Sequence, residues 1–271
     1  MHGRRPTHSS AWCASAVLAA ALAAGCGPSS LSADAGSSAD TAVSDTAARP
    51  DVADDDPTCP PLPGGVSGAP TTIADAVTMA NALVLAGSTP LTIPCFLSRL
   101  TRPIAVIGSS SAFSLQPAEG RRNPRMFVFI GPPSLVLSIS TTGGGSYRVE
   151  LAEYPTSLLR SIKAELAFPM MAPVTQAEPF ERIRSASGTV CGSCHRNELP
   201  APEVTVSQAF ESGVFQPRFD ELLPVAEMQD LDRTCDPQAE PYRCAMFRAL
   251  LDHGDVTNAK FPADAPTIYQ K

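Results

Sequence analysis

Residues 125–140 read RMFVFIGPPSLVLSIS: two short apolar runs, Met126–Ile130 and Leu135–Ile139, split by Gly131-Pro132-Pro133. Branched and aromatic residues in short runs bounded by Gly and Pro are the mark of strands, because such side chains fit a pleated surface and such punctuation ends it. The same rhythm continues outward. Leu91–Leu97, Ile104–Ile107 and Ala112–Leu115 precede the stretch, while Tyr147–Leu151 and Ser161–Phe168 follow it beyond Gly143-Gly144-Gly145. In the last run Ile162, Ala164, Leu166 and Phe168 alternate onto one face. One helix is expected at Thr72–Ala86, where Ile73, Ala76, Val77, Ala80, Leu83 and Val84 recur at helical spacing, Thr71 or Thr72 caps and Gly87 stops it. The expected fold is α+β: a strand-rich antiparallel domain over 59–180, sandwich-like or barrel-like, followed by a small loop-rich, partly helical segment over 181–271.

The chain has 271 residues, enough for one or two domains, and its 27 prolines argue against a helical bundle. Its net charge of −7 is unevenly spread: +2 over residues 1–25, −6 over 26–58, +3 over 59–190 and −6 over 191–271. No basic stripe marks a nucleic-acid surface. Arg121, Arg122 and Arg125 are the densest basic cluster and read as a solvated loop. Residues 59–180 contain no histidine, so this region carries no nameable reactive chemistry.

The N-terminus reads as an export signal. Arg4 and Arg5 precede a small, apolar run from Ala14 to Ala24, too short for a membrane span of about 20 residues. Leu22-Ala23-Ala24-Gly25-Cys26 resembles the lipobox of bacterial lipoproteins, with Ala23 where leucine is commonest. The resemblance implies a signal peptide over 1–25, lipid on Cys26, and a place in the cell envelope, at the outer membrane facing periplasm or surface. Residues 26–58 are serine, alanine and aspartate with almost no branched apolar residue, the composition of a self-repelling tether.

The chemistry begins at Cys191-Gly192-Ser193-Cys194-His195. A C-x-x-C-H run resembles the haem-attachment motif of c-type cytochromes. The resemblance covers five residues and implies one haem c bound through Cys191 and Cys194, with His195 as proximal iron ligand. Three other uses of these residues stand beside it. They are a thioredoxin-like redox pair, a structural zinc site that borrows from Cys235, Cys244, His195 or His253, and a plain disulfide. Pro200 and Pro202 break the helix that a thioredoxin-like pair requires.

Cysteine parity favours haem. With Cys13 in the signal, Cys26 lipidated and Cys191 and Cys194 taken, four remain, and the expected bridges are Cys59 with Cys95 and Cys235 with Cys244. For the distal iron position Met228 and His253 rank equally, Met246 below them on the face of a helix over Tyr242–Asp252, and an open position last. Arg182 and Arg184 are candidates for the haem propionates, since guanidinium pairs bidentately with carboxylate. Long helices that normally flank the cytochrome motif are missing from the pattern. No G-x-S-x-G element supports a hydrolase. The expectation is an electron carrier rather than a catalyst. It would be held to a membrane by lipid and would meet a basic redox protein through its acidic C-terminal part. The rival is a non-redox structural or binding lipoprotein whose cysteines all form disulfides.

Overall fold

The computed structural model describes residues 59–267, apart from residues 133, 156 and 196. The signal segment, Cys26 and the tether to residue 58 lie outside the described residues. The first helix, α1 (Ile73–Ala86), forms as its pattern predicts: Thr72 accepts the Asp75 backbone N–H, the Asp75 carboxylate takes the Thr72 N–H in return, and Gly87 ends the run. A second helix, α2 (Ile93–Ser98), stands where a strand was expected at Leu91–Leu97. Thr92 accepts the Cys95 N–H, and Pro94 sits in the first turn, where a missing donor costs nothing.

Five strands then follow: β1 (Ile104–Ser109), β2 (Arg125–Ile130), β3 (Leu135–Ser140), β4 (Arg148–Glu153) and β5 (Arg160–Ala167). The run Ala112–Leu115 is not one of them. Ser109, Ser111 and Ser114 side chains accept the N–H groups of Ser111, Phe113 and Gln116, so local turns replace a ladder there. After the short α3 (Glu178–Glu181) come β6 (Leu199–Pro200), β7 (Phe210–Gly213), β8 (Leu222–Leu223), α4 (Val225–Arg233), α5 (Pro241–Leu251) and β9 (Val256–Asn258).

All nine strands belong to one sheet, in the order β6-β7-β5-β4-β3-β2-β1-β8, with β9 also on β1. Every pairing is antiparallel except β1 with β9. The architecture is therefore α+β and strand-rich, but helices rather than a second sheet form its other layer, so the sandwich or barrel gives way to an open sheet covered on one side. Strands from 181–271 extend both edges of the sheet begun by 59–180. β8 and β9 lie end to end along the outer edge of β1, at Gly108–Ser109 and Ile104–Val106.

The alternation of side chains across the sheet sets its two faces apart. Met126, Val128, Leu137, Ile139, Val149, Leu151, Ile162, Ala164 and Leu166 point to one side and form a single core with the buried faces of α1, α2, α4 and α5. The other face carries a small apolar patch around Ile107, Phe129 and Val136 at one end, and Arg125, Ser138, Glu150, Lys163 and Glu165 along the rest. No helix among the described residues is long and apolar enough to cross a membrane.

Two disulfides close the helical layer: Cys59–Cys95 fixes the start of the described chain to α2, and Cys235–Cys244 ties the end of α4 to α5. Arg99 donates to the carbonyls of Cys59 and Pro60, and Arg102 donates to Ala249 and Leu250, neutralising the orphan carbonyls of the last turn of α5. The Cys59–Cys95 loop spans 36 residues and the Cys235–Cys244 loop 9. Chain entropy therefore predicts a loss of about 3–4 kcal/mol for Cys59→Ser/Cys95→Ser and of about 2–3 kcal/mol for Cys235→Ser/Cys244→Ser. Urea unfolding of the two double variants is expected to return that order.

Candidate functional site

The Cys-Gly-Ser-Cys-His run forms a single 3₁₀ turn, Val190–Ser193, that leads into His195. Its entry is fixed from both sides. The Val190 N–H donates to the carbonyl of Ile183, itself buried. Thr189 caps the turn by accepting the Cys191 N–H. The Glu198 carboxylate returns from beyond the motif to accept the Thr189 N–H at 2.8 Å and the Thr189 hydroxyl. This explains the glycine between the cysteines: a Cβ on Gly192 would lie 2.5 Å from Glu198 Oε2 and 2.7 Å from its carboxyl carbon.

Cys191 and Cys194 are free thiols, whereas Cys59, Cys95, Cys235 and Cys244 are paired. The disulfides remove Cys235 and Cys244 from any zinc site. Among the described residues no group of three or more His, Cys, Asp or Glu side chains is arranged to hold a bare metal ion. His195 Nδ1 lies 2.7 Å from the Gly213 carbonyl, which only accepts, so Nδ1 carries the proton and Nε2 keeps its lone pair. The ring packs against Phe215 at 5.3 Å between centroids. Burial, reinforced by the Lys163 and Arg125 charges, pulls the His195 imidazolium down to about 3. Burial likewise pushes the Cys191 thiol up to about 11 and the Lys163 ammonium down to about 8.

Both thiols and His195 open onto one cavity on the polar face of the sheet. Its wall is completed by Ser109 of β1, Arg125 and Phe127 of β2, Glu150 of β4, the Phe113–Leu115 loop, and Phe215 to Pro217. The cavity is small, about 100 Å³, below the range of roughly 300–1,000 Å³ usual for small-molecule and cofactor sites. A macrocycle therefore enters only when the rim moves outward, and Phe113 and Leu115, both exposed, are the rim residues on a loop outside the sheet. The donor set fits haem: two unpaired thiols three positions apart, and an imidazole whose second nitrogen is already oriented by a carbonyl.

Arg125 is the guanidinium that lines this cavity. It donates to Glu150 at 2.5 Å, to Ser138 at 2.5 Å and to Ser114, and lies over the Phe127 ring. The basic cluster read from the sequence is therefore three separate residues, since Arg121 pairs with Glu227 and Arg122 with Glu240 at the surface. The propionate candidates are engaged away from the cavity wall: Arg182 donates to Glu165 and Arg184 to Glu181 and Gln208. Sequence reading passed over Glu150, Lys163 and Glu198. The alternation in β4 and β5 that sends Val149, Leu151, Ala164 and Leu166 inward sends Glu150 and Lys163 to this face, and that was the available signal.

None of the distal candidates lines the cavity. Met228 and Met246 are fully buried in the helix-covered core. Met228 packs against Gly108 of β1, and the next residue, Ser109, points to the opposite side and lines the cavity, so the sheet separates thioether from imidazole. His253 follows the end of α5, beside the Arg102 contact with that helix. No family model, curated protein or solved structure matches the chain.

Two predictions follow from the geometry. Gly192→Ala is expected to cost about 1–2 kcal/mol through overpacking against Glu198, and Glu198→Ala in the same chain to recover most of it, a coupling that a double-mutant cycle in urea reads directly. The folded imidazole of His195 resists protonation down to about pH 3, whereas in the unfolded chain it takes a proton near 6.5. Stability therefore falls as pH drops from about 6.5 toward 3. In protein expressed without haem attachment, His195→Gln is expected to flatten that slope relative to the parent.

Proposed function

We propose that this chain is an exported, lipid-anchored c-type haem protein that carries electrons through one covalently attached haem. The observation that carries the reading is the pair of free thiols and the oriented imidazole at one cavity wall, in a chain whose other four described cysteines are bonded to each other.

A bound haem supplies the one-electron chemistry, its iron alternating between two oxidation states. Cys191 and Cys194 would hold the macrocycle by thioether links, and His195 would present Nε2 to the metal. The Gly213 carbonyl keeps that ring in one orientation and one tautomer and raises the basicity of Nε2. Phe127 and Phe215 exclude water from the pocket walls, while Arg125 and Glu150 place a compensated charge pair there rather than a net charge. The turn itself is held by Thr189 and Glu198, so the two thiols keep their spacing before attachment. The signal segment over 1–25 accounts for export and lipid on Cys26 for anchoring, and the acidic character of 191–271 favours a basic redox partner. The helix-covered part of the sheet serves as the scaffold.

The test is the intact mass of the mature protein, exported from a host with haem-maturation machinery, read with its reduced visible spectrum. The expected result is a mass increase of one haem, lost in Cys191→Ser/Cys194→Ser. An unmodified, colourless chain with every thiol oxidised overturns the reading in favour of a disulfide-bonded surface lipoprotein.

A further inference from the structure

Three stretches of the chain carry no charged residue: 57–74, 76–98 and 166–177. The fold brings them together in the helical layer. Leu91 and Met170 exchange backbone hydrogen bonds, and the Asn81 side chain of α1 holds both the N–H and the carbonyl of Val174. Where the three meet, a groove of about 310 Å³ is lined chiefly by Pro60, Leu83, Pro90, Leu91 and Pro169. Beside the groove, Met171 is 76% exposed and follows directly on the Leu91–Met170 bridge. Leu85, 74% exposed, lies one helical turn beyond Asn81 on the same face of α1, and so borders the same strip of chain as Met171.

Single exposed apolar residues are ordinary, but a groove and two bare side chains within an uncharged surface mark a place of contact. The apolar residues at the mouth of the Cys191–His195 cavity are different in kind, since Phe219 stands beside the Arg218–Asp220 pair and Glu221. A protein partner is selected and oriented by complementary charge, and the Leu85–Met171 face offers none. A layer of neutral lipid needs none, because apolar side chains settle at the boundary between headgroups and acyl chains. The entry of the chain points the same way. Residues 26–58 lead from Cys26 to Cys59, which is bonded to Cys95 of α2 and followed by Pro60 in the groove wall. The net charge of −6 over 26–58 disfavours an anionic surface.

Resting on the lipid anchor of the reading above and not on its haem, we propose that this uncharged face settles on a neutral lipid surface, with Leu85 and Met171 entering it. The anchored chain then meets the membrane through the side of the sheet that bears the helices. The Cys191–His195 cavity, on the opposite side of the sheet, is left facing outward, open to whatever meets it.

The only tryptophan, Trp12, lies in the signal segment, so one introduced indole reports alone in the mature protein. The experiment places mature protein, with lipid on Cys26 verified by intact mass, on phosphatidylcholine vesicles with plain or brominated acyl chains. Leu85→Trp and Met171→Trp replace exposed side chains and leave the core untouched. Their emission is expected to move to shorter wavelength on the vesicles and to be quenched more by brominated than by plain chains, a ratio from which any quencher within the protein cancels. Phe219→Trp, at a site 90% exposed beside the cavity, is expected to show neither change. Indoles at 85 and 171 that stay in water while the protein floats with the vesicles overturn the proposal and leave the anchor standing. Equal quenching at 85, 171 and 219 overturns it as well, because no one face is then preferred. A mature chain with no lipid mass overturns the anchor and this proposal together.

Discussion

Side chains on a strand point alternately to the two sides of its sheet, and here that alternation separates two chemistries. From β2 to β5 one set of positions is uniformly apolar and meets the helices, while the set between them carries Arg125, Ser138, Glu150, Lys163 and Glu165. Arg125 is held by Ser138 and Glu150 of the neighbouring strands and Glu165 by Arg148 and Arg182, while Lys163 donates to Ser161 on its own strand. A one-residue slip in any of these strands would bury the charges under the helices and expose the leucines, so the register is strongly specified. The Cys191–His195 turn sits on the polar side, and the nature of its site follows from that placement.

The division also explains why so much of the fold was legible. Apolar spacing and the Thr72 cap were enough for α1, and Gly-Pro punctuation was enough for β1 to β5, because both signals depend on neighbours in sequence. The parity argument for the two disulfides needed only a count. At Leu91–Leu97 the apolar content resembles a strand, and only the Thr92 and Pro94 positions favour a helix turn. At Ala112–Leu115 the alternation is there, but serine side chains take the backbone donors first.

The site was legible at its centre and not at its walls. Cys191, Cys194 and His195 are contiguous, so their chemistry appears as a motif. Arg125, Glu150 and Glu198 reach the same place from different elements, and no local spacing announces that meeting. For Met228 the sequence offered a ligand type at a plausible distance along the chain but not the side of the sheet on which it lies. Arg182 and Arg184 were chosen for nearness along the chain, whereas their carboxylate partners are set by β5 and α3.

The Cys59–Cys95 bond has a mechanical consequence. Any pull that reaches the folded part along the chain from residues 1–58 enters at Cys59. There it passes through a covalent bond into α2, and through Arg99, which holds the Cys59 and Pro60 carbonyls. Such a load is delivered to the helical layer, not to a sheet edge where strands separate one hydrogen bond at a time. A protein tugged from its N-terminus would thus feel the force on the side of the sheet away from the Cys191–His195 turn.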